Sequence, residues 1–220
     1  YPDKNVGSGT MEVTLKLDGP AKDNYALDSN TVDVPYTITP AQLSLGTIQA
    51  VDRDYIAGDK TVSANVTFDG LVNNETLTLG TDYTVTAEMA DPNAGVGKKV
   101  SVMVVLKDGP VSRNYTFASG NTASGSATVT ISKVAYTGAT TADMSAKYGN
   151  TATLDLSKLG LPEGYVLGQG TVTDNDYIFS LGYTIGGDLL SVLLVNDAAK
   201  VNKTATITIP VTSTNYQNFD

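Results

Sequence analysis

Apolar and polar residues alternate with a period of two at 13–17 (VTLKL), 62–68 (VSANVTF), 83–87 (YTVTA), 151–156 (TATLDL) and 204–211 (TATITIPV). That period sends neighbouring side chains to opposite faces. Each stretch therefore predicts a strand with one face in a core and the other in water. Two runs, 100–106 and 189–194, are apolar almost throughout and predict central strands. Gly, Asp and Asn fall between the runs at short intervals, as turns between strands require. Only 142–146 (ADMSA) and 156–159 (LSKL) have the composition of a helical turn. The pattern predicts an all-β chain.

The strands are organised by an internal repeat. Residues 3–25 read DKNVGSGTMEVTLKLDGPAKDNY, and 91–115 read DPNAGVGKKVSVMVVLKDGPVSRNY. Asp3, Asn5, Gly7 and Gly9 match Asp91, Asn93, Gly95 and Gly97. Asp18-Gly19-Pro20 matches Asp108-Gly109-Pro110, and Asn24-Tyr25 matches Asn114-Tyr115. A third copy, 197–216, keeps Asp197, an alternating strand and Asn215-Tyr216, and has neither the Gly-x-Gly nor the Asp-Gly-Pro. The Asn-Tyr pairs recur at roughly 90–100 residues, the size of one immunoglobulin-like β-sandwich. The reading is three units: the back half of a module at 1–40, a complete module at 41–134, and a module lacking its last strand at 135–220. Short junctions fall near Pro40-Ala41 and Lys133-Val134. The chain opens on Tyr1 with neither Met nor signal peptide, which reads as a segment of a longer polypeptide.

The frame Asp-x-Asn-x-Gly-x-Gly…Asn-Tyr resembles the tandem Ig-like repeats of bacterial cell-surface proteins named for a Tyr-Asp-Gly motif. The resemblance is best over 41–134, good for the half module before it and weaker after 135. The start motif departs from the family's pattern: it is Tyr55-Ile56-Ala57-Gly58 in the second module and Tyr136-Thr137-Gly138 in the third. The resemblance implies an extracellular, wall-attached, non-enzymatic array, and it supplies no catalytic residues.

Composition narrows the chemistry. The chain carries 23 acidic and 14 basic residues, a net charge of −9, with no basic cluster. This argues against nucleic acid and anionic lipid as partners. No apolar run reaches the roughly 18 residues of a membrane helix, so no membrane insertion is expected. There is no Cys, His or Trp, which removes disulfides, thiolate chemistry, the commonest general base and the commonest transition-metal ligand. Ser63, Ser101, Ser132 and Ser191 all sit in strand-like runs, and Glu12, Glu75, Glu88 and Glu163 show no paired grouping. Neither pattern marks an enzyme. Gly7-x-Gly9 and Gly95-x-Gly97 lack the strand-to-helix setting of a phosphate loop and read as bulge or hairpin glycines. No cofactor is expected.

Asp52-Arg53-Asp54 and Asp174-Asn175-Asp176 are calcium candidates in residue type, without the Gly and distal Glu of an EF-hand loop; a solvated Asp-rich turn is the competing reading. Surface proteins of the kind resembled sometimes carry a Lys–Asn amide cross-link, for which Lys16, Lys60, Lys133 or Lys203 would supply the amine. Ordinary outward lysines are the alternative.

The Asn-Tyr pair is expected to be structural. A Tyr near a late strand of such sandwiches joins the core and bonds its hydroxyl to upstream backbone, and an Asn before it caps a turn or takes a left-handed conformation. The alternative is an aromatic platform for sugar. The residues expected to matter are Asn24, Tyr25, Asn114, Tyr115, Asn215 and Tyr216, with Gly95, Gly97 and Gly109 at turns. The function expected is a spacer segment whose partners are its neighbouring modules. The rival is an adhesion module that binds host glycan or matrix protein through loops 52–59 and 168–177.

Overall fold

The structure, a computed structural model, describes residues 4–220. Tyr1, Pro2 and Asp3, the first Asp of the repeat frame, lie outside the described residues. The fold is all-β. Its first nine strands are β1 (Gly7–Thr14), β2 (Thr31–Ile38), β3 (Ala41–Ala50), β4 (Arg53–Asp54), β5 (Ala64–Asp69), β6 (Tyr83–Met89), β7 (Gly95–Leu106), β8 (Tyr115–Phe117) and β9 (Thr122–Ser132). The remainder are β10 (Thr151–Asp155), β11 (Val166–Leu167), β12 (Thr171–Thr173), β13 (Phe179–Gly186), β14 (Leu189–Leu194), β15 (Thr206–Thr208) and β16 (Val211–Thr212). Helical structure among the described residues is limited to four 3-10 turns: Lys22–Asn24, Ser112–Asn114, Leu156–Leu159 and Ala198–Lys200. Among the described residues no helix is long and apolar enough to cross a membrane.

The turn expected at 156–159 forms, capped by Asp155, whose Oδ1 accepts from Ser157 N–H at 3.1 Å. The one expected at 142–146 does not form, and that stretch has no regular structure. A five-residue stretch with Asp and Ser competing for its backbone groups gains too little from a lone turn.

The chain divides into two compact units. The first comprises Tyr1–Val51, Lys60–Asp91 and Gly97–Val129, and the second Asp52–Asp59, Pro92–Val96 and Thr130–Asp220. β7 and β9 pass from one unit to the other within their length.

In the first unit, β1 and β2 form an antiparallel hairpin in unbroken register from Gly7↔Ile38 to Thr14↔Thr31. None of its residues is fully buried. The remaining strands build a two-sheet core. One sheet has the order β5-β3-β8, and the other places β7 between β9 and β6. The sheets meet where the Phe68 ring of β5 packs edge-on against Tyr83 of β6, centroids 4.9 Å apart. The apolar run of β7 is central, as its composition predicts, yet it still alternates. Val100, Val102, Val104 and Leu106 are buried, while Met103 between them is 46% exposed. Leu43, Ala50, Tyr83, Ala87, Met89, Tyr115, Phe117 and Val129 are buried with them; each fully buried Val, Leu, Met or Phe contributes about 1.5–3 kcal/mol of transfer free energy.

In the second unit, β14 lies between β10 and β13, again the central place its apolar run predicts. β11 pairs with β16 and β12 with β15. The alternating stretch 204–211 is thus two short strands, not one. Pro210 has no N–H to give a ladder, and the chain changes partner there. Ile131, Ala152, Leu156, Ile178, Leu190, Val192 and Val211 are its buried apolar residues.

Both units share one further arrangement. The start of β3 runs parallel to β8, Ala41↔Tyr115 through Leu43↔Phe117. In the second unit Val134 bridges Tyr216 in the same parallel sense. Its N–H donates to Asn215 O at 3.2 Å, and its carbonyl accepts from Gln217 N–H at 2.8 Å.

Candidate functional site

Two of the three Asn-Tyr pairs form the same corner. In the first unit the 3-10 turn Ser112–Asn114 delivers Asn114 toward the lead-in of β1. Asn114 Oδ1 accepts from Val6 N–H at 2.9 Å, and its Nδ2 donates to Asn5 Oδ1 at 2.9 Å. In the second unit Asn215 Oδ1 accepts from Ala94 N–H at 2.8 Å, and its Nδ2 donates to Asn93 Oδ1 at 3.1 Å. The partners are equivalent positions of the repeat, Asn5-Val6 and Asn93-Ala94, each just before a Gly-x-Gly. A carboxamide suits this because it offers an acceptor and a donor side by side. The Asn therefore neither caps its own turn nor takes a left-handed conformation, as was expected of it. It reaches across to an earlier repeat frame, 109 residues back in one case and 122 in the other.

The tyrosines differ more. Tyr115 is buried at 3% exposure. Its hydroxyl accepts from Val72 N–H at 3.1 Å and donates to Glu75 Oε2 at 2.8 Å. Glu75 also receives Lys4 Nζ at 2.8 Å. The Lys4 and Tyr115 hydrogen bonds hold the Glu75 carboxyl below its ordinary range, and burial pushes the Tyr115 phenol up. Tyr216 is half-buried and sits in an aromatic cluster. Its ring meets Tyr55 edge-on at 5.8 Å and Tyr136 edge-on at 6.0 Å, and Tyr136 stacks on Phe219 at 4.4 Å. Tyr55 and Tyr136 are the tyrosines of the two drifted start motifs. Tyr25 does not join a core: it is 71% exposed.

The glycines also separate. Gly95 and Gly97 lie in β7, and Gly97 has φ 66°, where a residue with a Cβ is strained. Gly109 lies in the loop after β7. A Cβ there would sit 2.7 Å from Ser112 Oγ and against an Asp82 carboxylate oxygen. Asp82 is the buried residue that sequence reasoning missed, at 2% exposure. Its carboxylate accepts from Thr78 N–H at 2.9 Å, Ser112 N–H at 3.2 Å and Val111 N–H at 3.3 Å. Burial alone would raise its pKa, but these amide bonds outweigh burial and hold it below the ordinary value. Ser112 Oγ in turn donates to Lys107 O at 2.7 Å and accepts from Gly109 N–H at 2.9 Å. The first repeat has Lys22 where Ser112 stands, so comparing the copies gives no sign of this cluster.

Two of the four acidic candidates are used by the backbone. Asp52 Oδ1 accepts from Thr130 N–H at 2.7 Å. Asp174 accepts from Ile178 N–H at 2.9 Å and Phe179 N–H at 2.8 Å, and Asp176 pairs with Lys203 at 3.4 Å. Asp54 is exposed at the end of β4. Among the described residues no group of three or more His, Cys, Asp or Glu is placed to hold a metal ion. Of the cross-link lysines, Lys133 donates to Ser213 O at 2.7 Å, and Lys16 and Lys60 are exposed.

The stretches 168–177 and 52–59, expected as loops, each contain a short strand, β12 and β4. Past β12 the exposed aromatic is Tyr177, at 77% exposure and φ 54°. In 52–59 Arg53 donates to Asp59 O at 2.8 Å. The second unit also holds a cavity of about 1100 Å³, whose mixed lining includes Leu154, Leu159, Leu190 and Ile207 beside Asp143 and Lys147. It lies beside the irregular stretch that follows Tyr136. No family model matches the chain, and no curated protein or solved structure matches it.

Proposed function

We propose that this chain is a segment of tandem Ig-like β-sandwich modules that serves as a non-enzymatic spacer in a secreted bacterial cell-surface protein. The observation that carries the reading is the recurrence of one corner in both units, with the same two bonds to the same repeat position. A binding site would vary its neighbours to suit a ligand. A device that holds each repeat to the lead-in of an earlier one is needed wherever the repeat occurs. Asp52, Asp174 and Lys133 are bonded to backbone and Asp176 pairs with Lys203, which fits a mechanical role. In this reading the modules present other parts of the parent protein at a distance from the wall, and their partners are neighbouring modules. Small-angle scattering tests it. A spacer has a radius of gyration well above the roughly 17 Å of a compact domain of this length; a value at that figure would contradict it.

A second reading, an adhesion module for host glycan or matrix protein, is favoured by Tyr177 alone, an exposed ring held in a left-handed conformation on a loop. Arrays of glycans and matrix proteins separate the two. The spacer gives no signal, and the adhesin gives saturable binding that Tyr177→Ala removes.

A further inference from the structure

The remaining Asn-Tyr pair, Asn24-Tyr25, has the turn of the Asn114-Tyr115 corner without its partners. Lys22–Asn24 makes the same 3-10 turn as Ser112–Asn114. The residues before the turns, Ala21 and Val111, have φ −99° and −100°. Tyr25 and Tyr115 after them have φ −130° with ψ 150° and 158°. Local sequence therefore builds the corner in the absence of packing. Every residue of 21–30 is exposed, and the Asn24 side chain has no partner among the described residues. Near it in sequence Leu15, Tyr25, Leu27 and Val32 are 44%, 71%, 38% and 47% exposed, whereas Tyr115 is 3% exposed. Scattered exposed apolar residues are ordinary. Here the same segment carries a carboxamide whose two counterparts both bind the same motif.

We propose that the Asn24–Tyr25 corner is a docking surface for another repeat of this kind, which it takes through an Asn-Xaa-Gly-Xaa-Gly lead-in. The two filled corners define the contact. The Asn24 Oδ1 accepts the N–H that follows the partner's Asn, and Nδ2 donates to that Asn's side-chain oxygen. Because the turn is already formed, docking orders few residues of the acceptor, which lowers its entropic cost. The interaction is selective in a way an apolar patch is not. A lead-in without Asn forfeits one bond, and Pro after the Asn removes the N–H that makes the other. The proposal rests on the tandem-repeat reading for the identity of the occupant.

The test uses the whole chain and a synthetic peptide, DPNAGVGKKV, with the sequence of 91–100. The Tyr25 backbone amide and ring resonances are followed by NMR as peptide is added to millimolar concentration. The expected result is a saturable shift at Tyr25 that weakens at least tenfold in Asn24→Ala, and likewise with a peptide whose Asn is replaced by Ala. Because Asn24 is exposed, the variant keeps its fold, which the unchanged remainder of the spectrum verifies. No shift at Tyr25, or a shift that survives Asn24→Ala, overturns the proposal. Peptide binding by a chain of compact dimensions would instead fail the spacer reading alone.

Discussion

Replacing Tyr115 by Phe removes one oxygen and leaves the ring in place. Two bonds are lost, and they differ in worth. The Val72 N–H belongs to a residue that is 46% exposed, so water replaces much of what the hydroxyl gave. The Glu75 carboxylate belongs to a side chain 12% exposed, and a bond to a charged group is worth about 1.5–3 kcal/mol. Lys4 stays on the other Glu75 oxygen and limits the loss. The net cost should be about 1–2 kcal/mol, which at roughly 2–4 °C per kcal/mol in a chain of this size lowers Tm by about 3–6 °C. Tyr25→Phe is the internal control: its ring is exposed, so the change should cost less than about 0.3 kcal/mol. Scanning calorimetry of both variants reads the difference. The pH dependence adds a second check. Glu75 has a lowered folded pKa, so its contribution is present above the ordinary 4.5 and is lost as pH falls through the folded value. Tyr115 is part of the cause, so the gap between wild type and Tyr115→Phe should narrow as pH falls below 4.5. Equal melting of wild type and Tyr115→Phe at neutral pH, or an equal loss in Tyr25→Phe, would refute the anchoring role.

Asp82→Asn puts an amide N–H₂ against N–H donors that the carboxylate accepts, and should cost about 2–3 kcal/mol at pH 7 by urea denaturation. Because the Asp82 pKa is lowered, the wild-type advantage should shrink as pH falls below 3.8. Gly97→Ala forces a Cβ into φ 66° and should cost about 1–2 kcal/mol, with Gly95→Ala as the comparison at ordinary strand geometry. Tyr165 is hydrogen-bonded to the Asp188 carboxylate, which pushes its phenol up to about 12. Its stabilising effect should be lost as pH rises from about 10 through that value, and Tyr165→Phe should remove the last step of an ultraviolet tyrosine titration.

Several strands were legible because alternation is a local signal, but the stretch 13–17 was not the strand expected: β1 ends at Thr14 and 15–17 lie outside any strand. The two apolar runs led to β7 and β14, each in the middle of its sheet, although each still leaves one face partly exposed, at Met103 and at Leu189 and Leu193. The position of Tyr115 was legible too, because a Tyr after a turn at a module's end has few places to go. What the Asn binds was not legible. Its partners lie more than a hundred residues away, and nothing in the pair itself says which backbone N–H it will meet. Asp82 was hidden for the same reason, its donors being split between Thr78 and the loop around Ser112. The exposure of Tyr25 follows from what the chain around it lacks, a loop like that of Val72 and Glu75 to close over the ring. The stretch 204–211 read as one strand because alternation counts side chains, whereas Pro210 acts through the backbone.

The central claim is that the Asn of each filled corner holds the lead-in of an earlier repeat. Amide hydrogen exchange at Val6 and Ala94 tests it most directly, in wild type and in Asn114→Ala, Asn215→Ala and Asn24→Ala. Slow exchange at both sites is predicted in wild type. It should speed at least tenfold at Val6 only in Asn114→Ala and at Ala94 only in Asn215→Ala, with Asn24→Ala changing neither. Fast exchange at both amides in wild type, or protection that ignores which Asn is removed, would contradict the claim.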